Sequence, residues 1–213
     1  MSKNKGGEKQ VVLISNGDFR DSACIECWPV QEATLKLVKK AFARIGVKTE
    51  VYPKYDSDRK HGFVTRQHEG AEIFAKLDPE APVVVVLSCW AYSHHVCGPL
   101  QTHRGPILLL ANFDGTFPGL VALLNHSGSL DRLCVKHSRL WSETFEDDFF
   151  MKKLQTWVRE GFVGHDAGHL TDGARLKLPS KANKFGEDLA KEIKRDKRIM
   201  GQFDPGCMGM LNA

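Results

Sequence analysis

The chain has 213 residues, 42% of them apolar, and a formal net charge of +4. That is enough apolar material for a full-sized core, and too little charge for this length to argue for a nucleic-acid partner. Lys and Arg also interleave with Asp and Glu, as in Lys191-Glu192-Ile193-Lys194-Arg195-Asp196, the pattern of a solvated helix face.

Residues 1–10 are Lys- and Gly-rich with no apolar segment behind them, and are expected to be a disordered start rather than a signal peptide. Val11 to Ser15 is a compact apolar run ended by Asn16-Gly17-Asp18, which predicts a strand and a turn. Gln31 to Ile45 places Leu35, Val38, Phe42 and Ile45 at helical spacing, and Gly46 stops it. Val47 to Tyr52 alternates and predicts a strand ended by Pro53; Phe63 to Leu77 predicts a helix with Ile73, Phe74 and Leu77 on one side. Ala81 to Leu87 is the most apolar segment and is expected to be the central strand. Ile107 to Leu110 predicts a buried strand, Pro118 to Leu130 a helix, Leu133 to Lys136 a fifth strand and Glu143 to Gly161 a helix.

Strands alternating with helices, with near-continuous apolar strands, predict a parallel sheet covered on both faces. Five strands fit a doubly wound, flavodoxin-like α/β order, so residues 11–165 are expected to form one such domain. Residues 166–198 are expected to be a connector and an amphipathic helix, with Phe185, Leu189 and Ile193 at i, i+4 and i+8. Residues 199–213 have the look of a first strand and loop of a second α/β domain, cut short. No stretch approaches the roughly 20 apolar residues needed to cross a bilayer. With six cysteines expected to be reduced, the chain reads as cytoplasmic, with neither membrane nor nucleic acid as partner.

In a doubly wound sheet, ligands sit outside the carboxyl ends of the strands. Ser15, Asn16, Asp18 and Arg20 follow the first strand; Ser88, Cys89, Trp90, Tyr92, His94 and His95 follow the central one; Asn112, Asp114 and Thr116 follow the fourth. Polar groups at three strand ends with aromatics between them predict a pocket for a polar, polyhydroxylated ligand. Asn, Asp and Arg would bind hydroxyls, and an aromatic face would cover C–H groups. Neither Gly-x-Gly-x-x-Gly nor a P-loop occurs, so nucleotide binding has little support, and a flavin phosphate at Ser15-Asn16-Gly17 has only a weak signal. Cys24-Ile25-Glu26-Cys27 has CxxC spacing. A thioredoxin-like pair would open a helix, and a zinc site would recruit His94, His95 or Cys97; small semi-buried thiols are the favoured alternative. Cys89 is weighed as a nucleophile beside His94 or His95, with no spacing that demonstrates it.

One further pattern spans most of the chain. Ser88-Cys89-Trp90 is followed by Gly105-Pro106-Ile107-Leu108-Leu109-Leu110-Ala111-Asn112, then by Phe117-Pro118-Gly119-Leu120-Val121-Ala122, and the tail reads Gly201-Gln202-Phe203-Asp204-Pro205-Gly206-Cys207-Met208-Gly209-Met210. From about Val11 to Asn212 this order resembles the N-terminal region of the L-fucose isomerase and L-arabinose isomerase-like sugar isomerases. The resemblance implies part of a metal-dependent aldose–ketose isomerase of carbohydrate metabolism, inactive alone. Manganese would be held by later domains and none by this chain, and active sites would form between subunits of a homo-oligomer. It implies no catalytic residue or metal ligand here. It makes Arg20 and Trp90 contacts to a sugar bound by a neighbouring subunit, with Asp18, Asn112 and Asp114 as further substrate-binding candidates. The segments Cys24 to Trp28 and Ser93 to Cys97 depart from the well-known members and leave the sugar open. A stand-alone sugar-binding or regulatory domain is the alternative expectation, followed by a flavodoxin-like redox protein.

Overall fold

The computed structural model of the chain describes residues 10–197. It divides into two units, one up to Gly164 and the other beginning at His165.

The first unit is the predicted α/β fold. Five strands, β1 (Gln10–Ser15), β2 (Lys48–Tyr52), β3 (Val83–Leu87), β4 (Ile107–Asn112) and β5 (Ser138–Ser142), form one sheet in the order β2-β1-β3-β4-β5. Every pairing is parallel. This is the flavodoxin-like, doubly wound order. Alternate residues of each strand go to opposite layers, because a strand's side chains have period two. Val11, Leu13, Val84, Val86, Leu108 and Leu110 pack with Leu35, Val38 and Phe42 of α1 (Asp21–Arg44) and with Phe150, Leu154 and Trp157 of α5 (Asp148–Glu160). Val12, Ile14, Val83, Val85, Leu87 and Leu109 pack on the other side. Their partners there come from α2 (Gln67–Lys76), α3 (His94–Thr102) and α4 (Gly119–Arg132). Both faces are buried, so the inner strands are nearly continuous apolar runs. Edge strand β5 instead alternates, with Ser138, Leu140 and Ser142 buried and Arg139 exposed.

Several boundaries differ from the sequence expectation. α1 starts ten residues before Gln31 and runs through Pro29, so the Cys24/Cys27 pair lies in its opening turns. The Arg20 carbonyl already accepts from the Cys24 N–H at 3.1 Å. The missing Pro29 N–H is a local loss that the buried face further along α1 outweighs. At the other end Gly46, with φ of +71°, ends the helix as expected. Phe63 to Thr65 is not helical. The Val64 N–H donates to the Ser15 carbonyl and the Val64 carbonyl accepts from Gly17, so this segment extends the ladder of β1. Residues 133–136 are not a strand: Leu133 and Cys134 form a turn, with Cys134 at φ +56°, and the fifth strand begins at Ser138 instead. Its alternating Ser-Arg-Leu-Trp-Ser pattern was less apolar than the run before it. α5 starts at Asp148 and not at Glu143, because the Asp147 carboxylate caps it by accepting from the Phe150 N–H at 2.8 Å. α3 was not anticipated, since Gly98-Pro99 reads as a break.

Pro99 has a specific consequence. It cannot donate to the His95 carbonyl one turn back. That carbonyl faces α2, where a Cβ on Gly70 would lie 2.0 Å from it. Only glycine permits this approach.

Among its described residues, the second unit holds a 3-10 turn at Gly173–Arg175 and α6 (Ser180–Asp196). α6 buries none of its residues, and Phe185, Leu189 and Ile193 are exposed along one stripe. Of the expected disordered start at residues 1–10, all but Gln10, which pairs with Lys48, lies outside the described residues, as does the whole of the expected cut-short second domain at residues 199–213. No helix among the described residues is long and apolar enough to cross a membrane.

Replacing Gly70 with Ala forces α2 and α3 apart. Urea unfolding is expected to show a loss of roughly 1–3 kcal/mol, the usual cost of overpacking; a loss within experimental error would contradict the close approach.

Candidate functional site

β1 and β3 are neighbours, yet α1 and α3 leave them toward opposite faces of the sheet. The strand ends therefore part, and backbone groups beneath the gap lose ladder partners. Gln31, fully buried on α1, fills that need. Its Nε2 donates to the Val86 carbonyl at 3.0 Å and to Ser15 Oγ at 3.2 Å. Its Oε1 accepts from the Ser88 N–H at 3.2 Å and from Ser88 Oγ at 2.5 Å. One side chain thus links α1 to the ends of both strands.

Above this link lies a pocket of about 200 Å³ lined by Asp18, Arg20 and Ala23, by Cys24, Cys27 and Cys89, and by Trp90, Phe117 and Pro118. Three residues singled out in the sequence, Asp18, Arg20 and Trp90, come together on it. The Arg20 guanidinium is forked on the Asp18 carboxylate, with Nε to Oδ1 at 2.9 Å and a terminal nitrogen to Oδ2 at 2.6 Å. Asp18 is buried (5% side-chain exposure) and Arg20 is half exposed (48%). Burial pushes the Asp18 carboxyl up. The hydrogen bonds and charge of Arg20 outweigh it, so Asp18 titrates below the usual carboxylate range. A buried, ionised carboxylate thus aims the fork of an exposed guanidinium, which keeps donors free for a ligand. Trp90 is half-buried, and its Nε1 has no hydrogen-bond partner; nor does the buried hydroxyl of neighbouring Tyr92.

Asn112 and Asp114 lie outside the pocket lining and support it. Asp114 Oδ1 accepts from Asn112 Nδ2 at 3.2 Å, from the Thr116 N–H at 2.9 Å and from the Thr116 hydroxyl. These bonds shape the loop that brings Phe117 and Pro118 to the pocket. Of the pair Cys24/Cys27 and the group His94/His95/Cys97, only the first reaches the pocket. The helix α3 group faces elsewhere, and His94 and Cys97 line a separate, larger cavity of about 670 Å³ with Phe74 and His103. Among the described residues, no three or more His, Cys, Asp or Glu side chains are grouped so as to hold a metal ion.

Behind the pocket, α4 clips the loop that follows β3. Asn125 Nδ2 donates to the Ala91 carbonyl at 3.2 Å, and Ser129 Oγ to Ser93 Oγ at 2.9 Å. His126 is fully buried. Its Nδ1 lies 2.8 Å from the Ala122 carbonyl, which only accepts, so Nδ1 carries the proton. Nε2 then accepts at 2.7 Å from Asn16 Nδ2, which also donates to the Tyr92 carbonyl at 2.8 Å. Burial pushes the His126 pKa down to about 4, against the bond to Ala122, and His94 adds to the depression. His95, stacked on Tyr92, is likewise pushed down to about 4 by burial and by the neighbouring His94 and His126.

Gln31, Asn125, His126 and Arg59 were not singled out from the sequence. The signal for His126 was present: it stands on the Ala122/Leu130 stripe of α4, where an apolar residue is the norm. Arg59 had no such mark. It ties the β2–α2 loop to α1 and α2 through Asp21 at 3.1 Å, Glu69 at 2.9 Å and Thr65 Oγ1 at 2.6 Å. Set against known proteins, the chain matches no family model and no curated protein.

Two outcomes follow from this geometry. Gln31→Leu orphans the Ser88 N–H and should cost about 2 kcal/mol in urea unfolding; an unchanged midpoint would contradict the link. The depressed His126 pKa means that the folded chain binds fewer protons than the unfolded one, so stability present above about pH 6.5 is lost as pH falls toward 4. For His126 the loss is of the order of 3 kcal/mol between about pH 7 and about pH 4, and unfolding of His126→Gln followed across that range should have a visibly flatter profile than wild type.

Proposed function

We propose that this chain is the N-terminal, substrate-covering part of a metal-dependent aldose–ketose isomerase of the L-fucose/L-arabinose type. In this reading it walls off an open-chain sugar held by a neighbouring subunit of a homo-oligomer. The observation that carries the reading is the convergence of Asp18, Arg20 and Trp90 on one pocket at the β1/β3 divergence, with the Arg20 fork aimed by Asp18 and left half exposed. Arg20 binds sugar hydroxyls, and Trp90 covers a C–H face.

The size of the pocket supports a wall rather than a whole site. At about 200 Å³ it is smaller than the roughly 300–1,000 Å³ that encloses a small ligand. Phe19 and Phe113, in the loops after β1 and β4, are exposed at 46% and 48%. Exposed aromatics in loops next to a small pocket suit a surface that another subunit completes. The resemblance itself rests on the quoted sequence segments. The manganese expected of the full-length enzyme is assigned no ligand among the described residues, and no proton transfer is assigned to them.

A stand-alone sugar-binding or regulatory domain is the second reading, favoured by the same Asp18–Arg20 fork being preformed. Calorimetry separates the two. With L-fucose, L-arabinose and related pentoses and 6-deoxyhexoses, the covering domain alone should bind only weakly, at or above about 1 mM, with or without manganese. Saturation-transfer NMR should still detect that contact and lose it in Arg20→Ala. Metal-independent binding near about 1 μM by this chain would instead support the sensor, and the absence of any transfer from these sugars would sink both readings.

A further inference from the structure

The pocket also carries chemistry that sugar binding does not use. Three thiols line it: Cys24 and Cys27 from the opening turns of α1, and Cys89 from the end of β3. All three are free, and they pack together with Phe63 at the base of the pocket. Their environments differ. Cys24 is buried, and its Sγ donates to the Asp18 carbonyl at 3.2 Å; burial pushes its pKa up to about 12. Cys89 is buried, and its thiol donates to Cys27. Cys27 alone is part-exposed, and it receives the Cys89 hydrogen bond.

This arrangement divides two roles. An attacking thiol needs access and a stabilised thiolate, and a resolving thiol needs to stand beside it, shielded from reagents. Cys27 meets the first description: donation from Cys89 holds its pKa below the ordinary thiol value, against burial and the charges of Asp18 and Glu26. Cys89 meets the second. It is buried beside Cys27, and its bond to Cys27 and its burial hold its pKa above the ordinary thiol value.

We propose that Cys27 and Cys89 form a modification site for low-molecular-weight disulfides, in which Cys27 attacks and Cys89 resolves the product into a Cys27–Cys89 disulfide. The Cys27 thiolate attacks one sulfur of the reagent. A Cys27–S bond forms, the reagent's S–S bond breaks, and a thiolate leaves with the electron pair. Cys89 then gives its proton to that thiolate and attacks the Cys27 sulfur, expelling the second reagent thiolate, which takes up from water the proton that Cys27 had released. Two protein thiols are oxidised and one reagent disulfide is reduced to two thiols. The resulting bridge ties the start of α1 to the end of β3 across the floor of the pocket. The exchange stands whether or not the pocket takes a sugar.

The test uses oxidised glutathione on the full chain carrying Cys134→Ser and Cys207→Ser, followed by alkylation and peptide mapping. The expected product is lighter by two hydrogens, retains no glutathione, and maps to a Cys27–Cys89 linked peptide that a reducing agent releases. Adding Cys89→Ser should trap one glutathione on Cys27, and adding Cys27→Ser should abolish the reaction. A stable glutathione adduct on the chain with both Cys27 and Cys89 present, modification at Cys24, or no reaction would each overturn the proposal. The linked peptide is read on a chain with an unaltered pocket, so a variant that fails to fold does not spoil the test.

Discussion

The parting of β1 and β3 is the constraint on which the rest of the site depends. A doubly wound sheet has helices on both faces, here α1 and α5 on one and α2, α3 and α4 on the other, and where the winding reverses between β1 and β3 the sheet can no longer satisfy its own backbone. Here the solution is Gln31, an amide with both donors and an acceptor, placed on the buried face of α1 among Leu35, Val38 and Phe42. It replaces ladder bonds with side-chain bonds to Ser15, Val86 and Ser88. The strand ends can then stay open without orphaning the Val86 carbonyl or the Ser88 N–H, and the residues that follow the two strands, Asp18, Arg20, Cys89 and Trp90, line the pocket.

How these residues are held follows from burial and charge. Asp18 sits low enough to lose most of its water, and ionisation there is sustained by a bidentate guanidinium that remains at the surface. The other wall is held from behind by α4, whose Asn125 and Ser129 bind the loop after β3 while His126 accepts from Asn16 after β1. Trp90 is therefore presented by a polar scaffold and not by apolar packing alone. The same scaffold brings Cys89 opposite the first turns of α1, which is why thiols separated widely in sequence share one cavity.

Much of this was legible in the sequence where a single period dominated. The apolar runs at Val11–Ser15, Ala81–Leu87 and Ile107–Leu110 had no competing interpretation, and the stripe Leu35/Val38/Phe42 marked α1. Legibility failed where two signals conflicted. Pro29 and the CxxC spacing hid the first turns of α1, Gly98-Pro99 hid α3, and the alternating edge strand β5 was passed over for the more apolar Leu133–Lys136. In the site, Asp18, Arg20 and Trp90 could be named from their positions after strands, because strand ends are where an open sheet exposes side chains. Asn112 and Asp114 satisfied the same rule and yet support a loop outside the pocket lining, a distinction set by local hydrogen bonds that no spacing encodes.

The sequence by itself determined the layering: nearly continuous apolar strands require cover on both faces, and the intervening helical stripes supply it. Tertiary structure decided which polar residues meet. Gln31 with Ser88, Asn16 with His126 and Cys27 with Cys89 are contacts across the sheet order, created when the chain reverses its winding between β1 and β3. A one-dimensional pattern records how often a residue type recurs along one element. It carries no information about which side chain a second element will place opposite it.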